Sequence, residues 1–517
     1  MKKPGSESRS ARRLRVPDGR PGRPDSATNE ESTHMKHFVT IVSTLGLLLG
    51  SALRLPAQEQ PSLLSFGEAL ERAFEQNPAI RALAYEERAA QQERRAAIGL
   101  RMPQIKVAGT YAYLGKDIRF DFNDMKAEAG QLLGQIGAQL PQELLPVIGQ
   151  LTAPILGADW GLTLQNRSLG FVGGEVTLPI WMGGKINAAN RAARISEQSV
   201  RAGSRQVRNA LVSELAERYF GLALAEQVVA VRQQVVDGVK QHLADAEAME
   251  RNGMLARSQR LYVAFKVEEA ERELENARLQ LETLRSALAN TLGEEAPVTA
   301  MPATAMFVLR RPEPLAYYRD AALAQNPLLD QVGYKRELAH EQVRALRAEF
   351  LPQVVAVGGA SFYNYQVTDL LPRWAVGVGV SLKIFNGLHR EYTYSVARQT
   401  EKRVEQLQQK AEADVTVLVE KLYNELNHYA NRLASLEASL EFACEYQRSQ
   451  KAAFREGMAS SAELIDAELN LSKVRTERLQ AAYAYDLALA RLLEAAGLSD
   501  EFAACACRPD AEPVRFE

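Results

Sequence analysis

The chain has 517 residues, with 62 Lys and Arg against 64 Asp and Glu and a net charge of -2, so it lacks the basic field that marks a nucleic-acid binder. Three cysteines, Cys444, Cys505 and Cys507, are too few for a disulfide framework, and the six histidines form no short-range ligand pair, so no metal or cofactor is expected. P-loop, GxSxG, HExxH and Rossmann fingerprints are missing, and the chain is not expected to be an enzyme.

Residues 1–34, rich in Arg, Pro, Gly and Ser, read as a disordered or non-native extension. From Met35 a short basic start leads into the apolar run FVTIVSTLGLLLGSAL and then RLPAQEQP, the layout of a secretory signal peptide over 35–57 with cleavage after Ala57. The run is too short to span a bilayer as a helix, and no later apolar stretch reaches twenty residues. An exported chain of this kind enters a membrane only as strands.

Two segments then say nearly the same thing: QNPAIRALAYEERAAQQERRAAIGLRMPQI from Gln76 and QNPLLDQVGYKRELAHEQVRALRAEFLPQV from Gln325, an offset of 249. Farther on the offset is 204, pairing VTLPIWMGGK at 176–185 with VSLKIFNGLH at 380–389, and Gly293 with Gly497. One insertion at 115–165 of the first copy accounts for the change, so the chain divides into a first copy (58–293), a linker (294–314), a second copy (315–498) and an unstructured tail (499–517).

Each copy carries the same predicted elements in the same order. A helix over 65–100, or 315–350, ends before the proline of MPQ or LPQ. Strand-like segments follow at 104–114 and 169–181, and at 353–365 and 373–385, each long enough for a tilted membrane strand. Very long helices occupy 187–251 and 391–455, rods of roughly 100 Å at 1.5 Å per residue, and third helices occupy 255–292 and 459–496. Along the second rod, the apolar residues Val404, Leu407, Ala411, Val415, Leu418, Leu422, Leu426, Tyr429, Leu433, Leu436 and Leu440 keep steps of three and four, a packing stripe for a neighbouring helix. The insertion is expected to form one or two short helices that cap or line a mouth, or else a plain surface loop. Four strands cannot close a membrane barrel; two chains would pool eight strands, and three would pool twelve and enclose a lumen.

The stretch LSFGEALERAFEQNP at 64–78, the duplicated NP and PQ signals, the G-x-x-x-x-x-E-L-I-D-A turn at 457–467 and the repeated helix, hairpin, helix, helix order resemble the TolC family of outer-membrane efflux proteins over residues 62–498. The resemblance implies a mainly α, internally duplicated fold. In it, a long-helix α-barrel crosses the periplasm of a Gram-negative-type bacterium and joins a twelve-stranded outer-membrane β-barrel shared by a homotrimer. It further implies an exit channel for efflux or type I secretion, working with a periplasmic adaptor (membrane fusion protein) and an inner-membrane transporter of the RND, ABC or MFS type, in contact with outer-membrane lipid. The turns around Gly253 and Met254, and Gly457 and Met458, become the adaptor-contacting tips. Glu463 and Asp466, three apart on one helical face, become acids ringing a periplasmic aperture, with Arg257 and Arg260 placed to pair with them. Ala459 stands where family members place a basic residue, so a closing lock based on that residue is not expected here. The rival reading is a periplasmic coiled-coil adaptor, which would carry one helical hairpin rather than two equivalent copies with paired strands.

Overall fold

The computed structural model describes residues 63–139, 141, 145–367 and 372–516, so the leader expected at 35–57 and the extension before it lie outside the described residues. The first difference from expectation is at the start of each copy. Instead of one helix over 65–100 there are two, α1 (Phe66–Gln76) and α2 (Pro78–Gly99), and β1 (Leu63–Leu64) precedes them. The proline ring bars its predecessor from the helical region, and Asn77 sits at φ -59°, ψ 124°, where its side chain caps the next helix by accepting from the Ala79 amide.

After α2 come β2 (Gln104–Tyr113), the insertion, and β5 (Ser168–Trp181). The insertion holds two short helices, α3 (Asn123–Gly137) and α4 (Leu145–Gly157), framed by a ladder of β3 (Ile118–Asp121) with β4 (Gly161–Gln165). Two rods close the first copy: α5 (Lys185–Arg251), with 67 residues, and α6 (Arg257–Leu292). Residues 294–314 are more than a linker, since they contain β6 (Met301–Pro302) and β7 (Met306–Leu309). The second copy repeats the plan with α7 (Leu315–Gln325), α8 (Pro327–Arg347), a short 3-10 turn, β8 (Gln353–Tyr365), β9 (Trp374–Ser381), α9 (His389–Arg455) and α10 (Ser461–Ala496). Its break at Asn326–Pro327 reproduces the first, with Asn326 accepting from the Leu328 amide.

The repeated asparagine also joins the two ends of its own copy. Asn77 Nδ2 donates to the Thr291 carbonyl at 2.9 Å, and Asn326 Nδ2 to the Ala495 carbonyl at 2.7 Å, so each caps one helix while satisfying the frayed end of another. The helix ends they meet close on Gly293 (φ +82°) and Gly497 (φ +76°). A Cβ there would lie 2.7 Å from the carbonyl oxygen of Gln76 or Gln325, so close approach and left-handed backbone both demand glycine.

The expected unstructured tail folds instead. After a 3-10 turn, α11 (Phe502–Cys505) and β10 (Ala511–Val514) follow, and β10 pairs antiparallel with β7 from Ala511 opposite Leu309 to Val514 opposite Met306. Burial drives this: Phe502 meets Phe66 and Phe220 edge to face, Phe220 meets Phe307 the same way, and Cys505 and Val514 are buried beside them in the core around the middle of the rods. The same core also holds polar groups that find partners. Tyr219 donates to the Leu64 carbonyl at 2.6 Å and accepts from the Thr304 amide at 2.9 Å, while the fully buried Asp486 accepts from the Phe307 amide.

Candidate functional site

Three layers of four elements make up the working part of the chain. At one end the sheet runs in the order β2, β5, β8, β9, all antiparallel. Next to it the helices pack in the order α2, α5, α8, α9; past the aromatic core the order becomes α6, α5, α10, α9. Each layer therefore ends on β9 or α9 at one margin, and on β2, α2 or α6 at the other.

These margins are unsatisfied in the single chain. Strands β2 and β9 have one hydrogen-bonded neighbour each, leaving a row of backbone donors and acceptors on the outer side. On the α9 margin, Tyr392, Val396, Leu407, Val417 and Phe442 are exposed; on the opposite margin so are Tyr85 of α2 and Leu261, Phe265 and Leu279 of α6. The apolar stripe read from the sequence divides accordingly: Val415, Leu422, Leu426, Leu433 and Leu436 are buried within the chain, while Leu407 and Leu418 remain 50% and 44% exposed.

Strand register sorts the sheet into two chemically different faces. One face carries the rows Ile105, Val176, Gly358, Val376 and Val107, Gly174, Ala360, Trp374, with Leu178, Ala356 and Val378 continuing it. The other carries Gln104, Thr177 and Val357, then Lys106 opposite Glu175. Apolar on one side and polar on the other is the pattern of a strand set between lipid and water. No helix among the described residues is long and apolar enough to cross a membrane.

At the far end of the rods, the turns reverse at Gly253 (φ +74°) and Gly457 (φ +73°), each with open space around it, and leave Met254 and Met458 about as exposed as one another, at 69% and 73%. The two turns differ in their exits. Ser460 caps α10 by accepting from the Glu463 amide, and the Glu463 carboxylate returns the bond to the Ser460 amide at 2.7 Å, a capping box. That backbone bond, with the Ser460 hydroxyl, holds the Glu463 carboxyl below its usual range. Ala256 in the first copy has no side chain to do the same.

The expected charge pairs are arranged differently within the chain. Arg260 pairs with Glu250 at 2.7 Å across its own turn, and Arg257 forms no ion pair among the described residues. Asp466 is exposed and acts instead on Lys266, whose ammonium is held above its usual range mainly by Glu269 at 2.6 Å and in small part by Asp466. Lys266 carries no sequence motif; it came into view only once α6 and α10 were placed. Among the described residues no group of three or more His, Cys, Asp or Glu is placed to hold a metal ion.

Residues 318–498 match the family described as outer membrane efflux protein. Alkaline protease secretion protein AprF of Pseudomonas aeruginosa is 27% identical over 326 residues, a match covering 60% of this chain and 65% of that relative's length. Among solved structures, the chain superposes on CusC with a TM-score of 0.67 at 16% identity, covering 86% of this chain and 95% of that one. The outer membrane protein VceC of Vibrio cholerae gives 0.63 at 16% identity, covering 84% and 96%. The fold is thus that of the outer-membrane channel proteins.

Proposed function

We propose that this chain, a member of the outer membrane efflux protein family, is the outer-membrane exit channel of a tripartite efflux or type I secretion system. Three copies close one continuous tube. The observation that carries this is the shared pair of margins: the sheet and both helical layers open on the same two sides, so a single rotation that pairs β9 of one copy with β2 of the next also brings α9 against the neighbour's α2 and α6. Such a head-to-tail contact closes into a ring. Three sheets of four make twelve strands, enough to enclose a lumen, with the apolar face toward lipid and the Lys106 and Glu175 face toward water.

The rods, 67 residues each and so about 100 Å long, continue the tube into the periplasm. No bond is made or broken in transport. Cargo moves through water, and the tip helices decide when it enters. Partner adaptor and inner-membrane transporter meet the turns at Met254 and Met458, and Asp466 with Glu463 set the charge at the aperture. The adaptor reading is disfavoured because an adaptor has no use for a four-stranded sheet with one wholly apolar face.

The test is membrane fractionation followed by light scattering of the detergent-extracted protein, then conductance in a planar bilayer. An outer-membrane trimer that conducts supports the reading. A soluble monomer, or a membrane trimer with no conductance, refutes it.

A further inference from the structure

His242 lies on α5 ten residues before the tip turn at Asn252. It is 4% exposed, and neither ring nitrogen has a hydrogen-bond partner among the described residues. Its ring meets Phe454 of α9 edge-on, with centroids 4.5 Å apart and planes at 82°. Phe454, itself buried, is three residues before Gly457, so this contact joins the last turns of α5 and α9 just short of the tip. Beside the ring is a cavity of ≈ 60 Å³, walled by α5, α9 and α10. Two of the three rods that meet here thus run on into a tip turn, and the third, α10, starts from one.

We propose that His242 is an acid-operated latch: proton uptake by its imidazole separates α5 from α9 and α10 and opens the periplasmic end of the tube. The packed site suits only the neutral ring. A buried imidazole needs a hydrogen-bonded or paired partner for its charge, and a site without one expels either the proton or the ring. The charged groups facing the cavity do not supply that partner. Asp245, one turn along α5, favours the charged ring, and Lys451 and Arg455 of α9, which also line the cavity, carry the same sign as the protonated ring and cannot pair with it. Glu468 of α10 is engaged by Gln447 of α9 at 2.7 Å.

Burial accordingly holds His242 below the ordinary imidazole range, with the Asp245 charge offsetting only part of it. The parted state, with the ring in water, takes up its proton near pH ~6.5. The packed state is therefore fully favoured above that pH and loses ground as pH falls below it, by up to about tenfold per pH unit per chain until the depressed value is reached.

The duplication isolates this role. At the offset of 204, the counterpart of His242 is Tyr446, whose ring stacks on the exposed Phe442 at 5.8 Å. The latch therefore belongs to α5 alone, and three copies would carry three of them. His340, unlike His242, has a charged partner: it pairs with Glu401 at 2.7 Å on a half-exposed site near the strands and serves as a control.

The inference rests on the channel reading, and the experiment separates the two. Conductance of the full-length trimer is recorded in planar bilayers from pH 8 to pH 5 for the natural protein, His242→Phe and His340→Gln. The latch requires conductance to rise on acidification in the natural protein and His340→Gln, and to stay flat in His242→Phe. A pH response that persists in His242→Phe, or is lacking in the natural protein, overturns it. Hydrogen exchange on the natural trimer needs no variant: after correction for the intrinsic pH dependence, segments 236–250 and 447–466 lose protection at pH 5.5 relative to pH 7.5 while 205–225 does not. Equal protection at both pH values overturns the latch even where no conductance is seen at any pH, a result that would itself count against the channel.

Discussion

Substituting alanine at Gly497 tests the joint between a copy's first break and its last helix. The residue is at φ +76°, which costs an L-residue about 1–2 kcal/mol, and the new Cβ would lie 2.7 Å from the Gln325 carbonyl oxygen and 2.8 Å from its carbon. Backbone on both sides leaves nothing soft to yield, and relieving such an overlap costs about 1–3 kcal/mol more. Gly457→Ala provides the comparison, since φ is +73° there but nothing lies within 4 Å of the Cβ position. The difference between the two variants, about 1–3 kcal/mol, isolates the close approach from the left-handed backbone. At ~2.1 cal/mol/K per residue over ~450 residues, a 3 kcal/mol loss lowers the melting midpoint by about 3 °C, and by more if the cooperative unit is smaller. Thermal melts followed by helical circular dichroism on the detergent-extracted trimer measure this. Equal shifts for Gly497→Ala and Gly457→Ala would falsify the joint.

The two faces of the sheet call for opposite responses: Val376→Arg, on the apolar face, costs about 2–4 kcal/mol at mid-membrane depth and reduces trimer recovered from the outer membrane, whereas Thr177→Arg leaves recovery unchanged and shifts ion selectivity. Recovery lowered equally by both would contradict the assignment of faces. Asp486 is held well above the usual carboxyl range by complete burial, only partly offset by the Phe307 amide, so the folded state keeps a proton that the unfolded chain gives up above pH ~4. Stability from this group is present at low pH and declines as pH rises, so Asp486→Asn melts higher than the natural protein at pH 8 and the gain shrinks toward pH 4.5; a gain independent of pH would count against it. Asp466→Ala is expected to lower cation selectivity in single-channel recordings, and Glu463→Ala to act partly through loss of the α10 cap; selectivity unchanged in both would remove the acids from the aperture.

Much of this architecture is legible in local sequence because helix period, strand alternation and turn residues are local signals. The long rods, the four strands and the glycine turns all emerge from such patterns, displaced by a residue or two at their ends, except that the strand expected at 373–385 stops at Ser381. What escaped depended on contacts distant in sequence. Asn77 and Asn326 read as ordinary helix residues until their amides are seen reaching Thr291 and Ala495. The tail looked disordered because the partner of Ala511–Val514 is Met306–Leu309, some 200 residues earlier. Leu407 and Leu418 belong to a readable stripe, yet within the chain they stay about half exposed, which no local pattern announces. At the tip the acids were visible as a spacing, but the influence of Asp466 on Lys266, and the buried ring of His242, depend on which rods lie side by side.

The ladder of β10 on β7 also bears on timing. Residues 511–514 form the last strand among the described residues, and the strand they complete was made some 200 residues before. Phe307 and Phe502, which share the core, are separated by nearly the same span. The midsection of the rods therefore cannot reach its final packing before residues 502–514 have been made, whatever its local helices do. A polypeptide that is threaded through a membrane before folding benefits from such an arrangement: this joint stays unmade until residues 511–514 have arrived.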